Sequence, residues 1–185
     1  MQRRDFLAML TAGPLAVALT RTAWSASAAP KSITDLQQNW KRLLAPGADV
    51  ATTTSALSRS EAEWQQLLTP AQFDVLRHEG TERPFTSPLN NEKRPGVFVC
   101  AGCALPLFTS QMKYDSGTGW PSFFTLIPDR LATKQDLKLI LPRTEYHCVR
   151  CGGHQGHVFD DGPQPTGLRY CNNGVALRFI AQKGA

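Results

Sequence analysis

Apolar and polar positions fall into three textures along this chain. The first is a continuous apolar run from Leu7 to Leu19, broken by Gly13 and Pro14, and at about 13 residues it is too short for the roughly 20 that a membrane-spanning helix needs. The second has helical spacing. Ser60 followed by Glu63 is a capping box that opens a short helix carrying Trp64, Leu67 and Leu68. Thr69, Pro70 at the first helical position and Gln72 open another, which carries Phe73 and Leu76 and stops at Gly80. The third texture is a series of short β-like runs: Val97 to Cys100, Leu105 to Thr109, Leu137 to Leu141, Tyr146 to Val149, His157 to Asp160 and Leu168 to Ala181. Prolines and glycines punctuate them at turn spacing. The pattern predicts two helices followed by a mainly antiparallel β domain. Residues 30–54 are weakly patterned, with Trp40 and Leu43 as the only candidate docking points, and read as a tether or peripheral arm. The expected organisation is therefore a leader over residues 1–28, an N-terminal arm over 29–57 and a domain over 58–185.

The 185 residues are 42% hydrophobic and 19% charged, enough for one globular domain with a core and unlike a disordered chain. The formal net charge is +5, and two of those charges belong to the first 28 residues. No clustered basic stripe is present, which argues against a nucleic-acid partner. The leader has the three parts of an export signal: Arg3-Arg4-Asp5-Phe6-Leu7, the apolar run, and small residues ending Ala26-Ser27-Ala28-Ala29. Its paired arginines resemble a twin-arginine signal, which sends folded proteins to the bacterial periplasm; a general secretory signal is the alternative. Cleavage is expected after Ala28, with no stable membrane anchor. A monomer is expected, because no long apolar edge asks for a partner.

Five cysteines form an odd set. Cys100-Ala101-Gly102-Cys103 and Cys148-Val149-Arg150-Cys151 each put two thiols on a tight turn, and together they supply the four sulfurs of a tetrahedral structural Zn2+ site at about 2.3 Å. The 44 residues between Cys103 and Cys148 exceed a compact zinc ribbon, so the intervening segment reads as an excursion stapled at its base. Two disulfides, or a redox-active pair, are the alternatives. Neither fits well, since a bridge within one Cys-x-x-Cys closes a tiny loop and no β-α-β pattern surrounds either pair. Export of a folded chain would let the metal load in the reducing cytosol. His147, beside Cys148, reads as a surface residue or one lying just outside the metal's ligands.

Cys171 is left alone. Read as a strand, Arg169, Cys171 and Asn173 share a face, which sets a cation beside a thiol and favours the thiolate. A lone cysteine in a β domain is otherwise an inert buried hydrophobe. Its company argues for chemistry: His154-Gln155-Gly156-His157 offers two imidazoles, and Gly117-Thr118-Gly119-Trp120-Pro121 offers an indole on a turn.

Gly119-Trp120-Pro121-Ser122-Phe123, His154-x-x-His157-Val158-Phe159, Asp161-Gly162-Pro163 with Thr166-Gly167, and Arg169-Tyr170-Cys171, in this order, resemble a type B methionine sulfoxide reductase. Pro84-Phe85-Thr86, Lys113-Tyr114-Asp115-Ser116-Gly117 and the two cysteine pairs are similar to the same family, and the resemblance spans Trp64 to Ala181. It implies two antiparallel sheets, reduction of the R epimer of methionine sulfoxide in proteins, peptides or the free amino acid, repair of oxidised proteins, and a zinc remote from the chemistry. It implies Cys171 as nucleophile, Trp120 against the sulfoxide methyl, His154, His157 and Asn173 binding or protonating the oxygen, and Arg169 supporting the thiolate. Phe159, on the His157 face of its strand, extends the apolar wall. Methionine leaves a sulfenic acid on Cys171 that must be reduced before the next turnover.

The chain departs from the family pattern in three places. Thr118 stands where many relatives carry a resolving cysteine, so recycling calls for an external thiol reductant, thioredoxin-like or other, or for a zinc cysteine at the expense of the metal. Asn172-Asn173-Gly174 replaces an apolar residue, Asn and Ser, and Gln155 stands where Leu is commoner. Two rival functions remain: a zinc-ribbon binding module, which leaves Cys171, the histidines and Trp120 without roles, and a thiol-disulfide oxidoreductase, which normally uses a Cys-x-x-Cys at a helix start.

Overall fold

A computed structural model describes residues 32–138 and 142–183, so the leader, the first residues of the arm and positions 139–141 lie outside the described residues. Helix α1 (Ile33–Gln38) starts on Ser32, whose hydroxyl accepts the Asp35 N–H at 3.1 Å, and a 3-10 turn follows at Trp40–Leu43. Helices α2 (Glu61–Leu67) and α3 (Pro70–His78) both begin on complete capping boxes. Ser60 Oγ accepts from the Glu63 N–H at 3.3 Å while Glu63 accepts the Ser60 N–H at 2.7 Å; Thr69 and Gln72 repeat the exchange at 3.3 and 3.1 Å. Helix α3 ends as Glu79 turns left-handed at φ 58, one residue before Gly80.

Nine strands follow among the described residues: β1 (Gly96–Cys100), β2 (Pro106–Thr109), β3 (Lys113–Tyr114), β4 (Ser122–Phe123), β5 (Leu131–Asp136), β6 (Arg143–Cys148), β7 (His154–Phe159), β8 (Arg169–Asn172) and β9 (Leu177–Ala181). They form two antiparallel sheets, a small one ordered β2-β1-β9 and a large one ordered β3-β4-β8-β7-β6-β5. Aromatic rings join the sheets. Phe108 of β2 stacks on Phe123 of β4 at 4.1 Å and 7°, Phe98 of β1 meets Phe123 edge-on at 5.1 Å, and Phe108 meets Tyr146 of β6 edge-on at 6.4 Å. Each such ring contributes about 1.5–3 kcal/mol by leaving water.

The mainly β, two-sheet architecture agrees with expectation, but three elements differ in detail. The arm does more than trail: Trp40 and Leu43 dock as expected, Leu36 of α1 joins them in the core, and Gln37 donates to Thr125 Oγ1 at 2.9 Å. Of the run expected at Leu137 to Leu141, residues 139–141 lie outside the described residues, and Leu137 and Lys138 carry no strand. The strand is the more polar Leu131–Asp136, an edge strand with Thr133, Lys134 and Gln135 exposed, and Leu137 lies beyond it, 69% exposed. The long run from Leu168 to Ala181 is two strands in different sheets, separated by a 3-10 turn at Gly174–Ala176. Among the described residues no helix is long and apolar enough to cross a membrane.

Candidate active site and metal cluster

The two cysteine pairs close on each other. Cys100 ends β1, Cys148 ends β6, and their four sulfurs lie within 4.8 Å of one another. Cys100 Sγ is 3.6 Å from Cys151 Sγ, and Cys103 Sγ is 3.5 Å from Cys148 Sγ, close to the roughly 3.8 Å edge of a tetrahedron with 2.3 Å metal–sulfur bonds. All are free thiols. The two turns are built alike: the Cys100 carbonyl accepts the Ala104 N–H and the Cys148 carbonyl the Gly152 N–H, each at 2.8 Å, while the Cys100 and Cys148 N–H groups donate to Leu105 and Gly153. Hydrogen bonds shared among the sulfurs push the Cys100 and Cys148 thiols up and pull Cys103 and Cys151 down. A divalent cation is the charge that would let all four be thiolates, and an all-sulfur set with no fifth donor is the donor chemistry of a closed, structural site.

Each turn places the residue after its second cysteine in the left-handed region, Ala104 at φ 56 and Gly152 at φ 67. Only Gly152 adopts that conformation without a Cβ penalty. Ala104→Gly is therefore expected to stabilise the metal-loaded chain by roughly 0.5–1 kcal/mol, the relieved strain exceeding the added unfolded-state entropy, as read by urea unfolding.

Cys171 lies on β8 between β4 and β7, with Ser122 and His157 opposite it. Burial pushes its thiol above the ordinary value, and the Arg169 charge and hydrogen bonds from Thr118 and Arg169 only partly oppose this. The expected cation beside the thiol is present, but desolvation outweighs it. Arg169 is fixed by a two-point pair with Asp161, both bonds 2.8 Å, and its guanidinium lies 4.3 Å over the Phe159 ring. A cavity of about 210 Å³ opens onto the sulfur, lined by Trp120, His157, Phe159 and Asn173 together with Thr81 and Arg143. Its volume suits one side chain rather than a drug-sized ligand of about 300 Å³ or more. Trp120 Nε1 donates to the Glu82 carbonyl at 2.8 Å, and Asn173 Oδ1 accepts the Glu82 N–H at 2.9 Å.

His154 stands behind this cavity rather than on its wall, its ring 5.5 Å from that of His157. Its Nδ1 is 2.7 Å from Glu145, which also holds His147 Nδ1 at 2.9 Å. Burial would raise the Glu145 carboxyl, but the two imidazoles outweigh it and hold the group at about 2. His154 Nε2 is buried without a partner among the described residues. His157 Nε2 is 2.8 Å from Asp136, which also accepts from Arg143 at 2.6 Å. Burial lowers His157 further than Asp136 raises it, and Asp136 stays well below the usual carboxylate range through the Lys138 backbone N–H, His157 and Arg143. Glu145, Asp136, Arg143 and Glu82 carry no motif in the sequence. Glu145 and Arg143 alternate on β6 opposite the His-x-x-His strand, which is the only signal that could have found them.

Two departures from the family pattern turn out to be partners. Gln155 is fully buried, and its amide oxygen accepts from Asn172 Nδ2 at 3.4 Å, while its Nε2 reaches Cys100 Sγ at 3.4 Å. Asn172 Oδ1 in turn accepts the Tyr146 hydroxyl at 2.8 Å. Asn172 Nδ2 also donates to the Asn173 carbonyl at 2.8 Å, so Gln155→Leu removes one of its two partners, whereas Asn172→Leu takes the partner from both the Gln155 amide oxygen and the Tyr146 hydroxyl; each is expected to cost roughly 1–3 kcal/mol. The double variant is expected to lose about 1 kcal/mol less than the sum, measured as a double-mutant cycle in urea; strict additivity would show that the amides do not interact.

A family profile described as the SelR domain matches residues 68–181, more than half of the chain. Peptide methionine sulfoxide reductase MsrB of Methanosarcina barkeri is 53% identical over 129 residues, 69% of this chain and 91% of that protein. The protein of the same name from Agrobacterium fabrum is 48% identical over 128 residues, 69% of this chain and 95% of its own length. Peptide methionine sulfoxide reductase B1, chloroplastic, of Arabidopsis thaliana is 53% identical over 125 residues, 67% of this chain and 62% of that protein.

Proposed function

The chain belongs to the SelR domain family of type B methionine sulfoxide reductases, and from that premise we propose that it reduces the R epimer of methionine sulfoxide with Cys171 as the nucleophile. The observation that carries the assignment of roles is the cavity in which the one thiol outside the metal cluster meets the Trp120 indole and the His157 imidazole. The sulfoxide methyl packs on Trp120 and Phe159 while Asn173 and His157 face the oxygen. Cys171 Sγ attacks the sulfoxide sulfur, the oxygen is transferred to Cys171 as a sulfenic acid, and the thioether leaves as methionine, so the two-electron reduction of substrate is balanced by oxidation of the cysteine. Asp136 fixes the orientation of His157, and Glu145 that of His154.

Recycling follows from the cysteine inventory. Four of five thiols sit in the metal cluster and Thr118 occupies the usual resolving position. An external thiol attacks the sulfenic acid to release water, and a second thiol frees Cys171 as a disulfide leaves. Zn2+ is the metal that the four sulfurs suit; Cys100, Cys103, Cys148 and Cys151 would hold it as a closed structural centre that supplies folding energy and no catalytic step. Export to the periplasm is part of the same reading, supported by Arg3-Arg4-Asp5 ahead of an apolar run. So is a monomer, since Leu67, Phe85 and Leu137, the large apolar side chains exposed among the described residues, are scattered.

The decisive experiment offers the full chain a racemic peptide methionine sulfoxide with excess dithiothreitol and separates the epimers. Disappearance of the R form alone is expected. Persistence of both epimers with a folded, zinc-loaded chain would overturn the reading and favour a binding module.

A further inference from the structure

We infer that Glu82 is a positioning residue for the reduction, clamping Trp120 and Asn173 in place over Cys171; this deepens the proposed function and rests on it. Glu82 lies in residues 80–87, which have no helix or strand of their own between α3 and the 3-10 turn at Pro88–Asn91. Its peptide groups nevertheless reach both the aromatic and the polar wall of the cavity, where Asn173 is held on its other side by Nδ2 donating to the Gln155 carbonyl at 3.1 Å. The carbonyl takes the Trp120 indole N–H at 2.8 Å, and the N–H of the same residue donates to Asn173 Oδ1 at 2.9 Å. One residue of irregular chain therefore ties a ring from the β3–β4 connection to an amide at the end of β8.

Irregular chain holds such a position only if something anchors it, and here the carboxylate does so. Glu82 Oε2 accepts the N–H groups of Gly174 at 2.6 Å and Val175 at 3.3 Å, the start of the 3-10 turn that follows the nucleophile's strand. The fit is close on the other side as well. A Cβ at Gly174 would sit 1.8 Å from Ser87 Oγ and 3.1 Å from Glu82 Oε2. Glycine at 174, where the resembled family more often has serine, is thus the residue that admits both Ser87 and the Glu82 carboxylate to this turn. The segment is tied a further time to the Trp120 turn through the Phe85 N–H and the Gly119 carbonyl at 2.7 Å. Losing the carboxylate frees the peptide at 82, and with it the indole and the amide move relative to Cys171.

The test compares Glu82→Ala, Glu82→Gln and the native full chain, zinc-loaded, by two readouts: kcat/KM on an R-sulfoxide peptide, and the indole N–H resonance of Trp120, assigned by its absence from Trp120→Phe. Misplacement by about an ångström costs up to about a hundredfold in rate, so the alanine variant is expected to lose between about tenfold and a hundredfold in kcat/KM. Its Trp120 indole resonance shifts and loses protection from hydrogen exchange. The glutamine variant, whose amide oxygen can take the place of Oε2 toward both N–H groups but without its charge, recovers part of both. A folded Glu82→Ala chain with the native indole resonance overturns the inference, whether activity is kept or lost. Should the alanine variant fail to fold, Glu82→Asp, one methylene too short for the reach, is read in the same way. A native chain without turnover refutes the proposed function instead, and the indole resonance then still decides whether the clamp exists.

Discussion

Cys171→Ser is expected to abolish turnover, by about a thousandfold or more, while the far-ultraviolet circular dichroism, zinc content and unfolding midpoint stay native. A serine hydroxyl at this position packs almost as the thiol does but is neither ionised at accessible pH nor able to accept the sulfoxide oxygen reversibly, and removal of a covalent nucleophile typically costs on that scale. The pH dependence gives the same assignment a second signature. Burial holds the Cys171 thiol above its ordinary value against the pull of Arg169 and Thr118, so the reactive thiolate is a minority species at neutral pH. In the native chain kcat/KM is expected to rise with pH, tenfold per unit while the thiol remains protonated, and to level off above the raised pKa. Arg169→Ala removes a charge that favours the thiolate and is expected to move that rise to still higher pH. Residual reduction of the R epimer by the serine variant, at a tenth of the native rate or more, would remove Cys171 from the nucleophile's role.

Cys148→Ser is expected to leave a chain that does not fold. Structural zinc bound by cysteine-containing peptides contributes about 10–16 kcal/mol at neutral pH, and whole domains are stable by only about 5–15 kcal/mol, so loss of one of four ligands is comparable to everything that holds the native state together. Cys148 is fully buried at the end of β6, and its sulfur lies 3.5 Å from that of the half-buried Cys103. Chelation of the native chain is expected to release one zinc per chain together with loss of the cooperative unfolding transition, followed by a metal indicator and circular dichroism in one titration. A Cys148→Ser chain that folds without metal and retains activity would show the cluster to be dispensable. A folded variant inactive for lack of that thiol would revive disulfide exchange as the function.

Local rules reached some parts of this molecule and missed others for identifiable reasons. The helix starts at Ser60 and Thr69 were legible because a capping box is closed within four residues. The sulfur cluster was legible because each half is a local turn and only four identical ligands had to be matched. Strand β5 was not, since an edge strand needs no apolar face and Leu131–Asp136 shows none. The candidate site divides in the same way. Trp120, Cys171 and the histidines sit in recognisable motifs, but the groups that orient them, Glu145, Asp136 and Glu82, meet their partners across strand pairings or through backbone atoms. Nothing about an isolated Glu82 announces that its carbonyl will receive an indole from 38 residues away.

The small sheet carries a consequence for the order in which the protein can be made. Its middle strand, β1, is closed on one side by β2 and on the other by β9, the last strand among the described residues, with Val97 opposite Ile180 and Cys100 opposite Leu177. Until β9 has left the ribosome, β1 is an edge of Val97, Phe98 and Val99, all fully buried in the finished fold, and such an edge is a template for pairing with another chain. The small sheet therefore cannot close before β9 is available, and a chain cut between residues 100 and 177 is expected to present that edge as an aggregation hazard. A membrane route that accepts completed folds would spare the cell that exposed edge, whereas one that threads an unfolded chain would recreate it on the far side, where metal must be found as well.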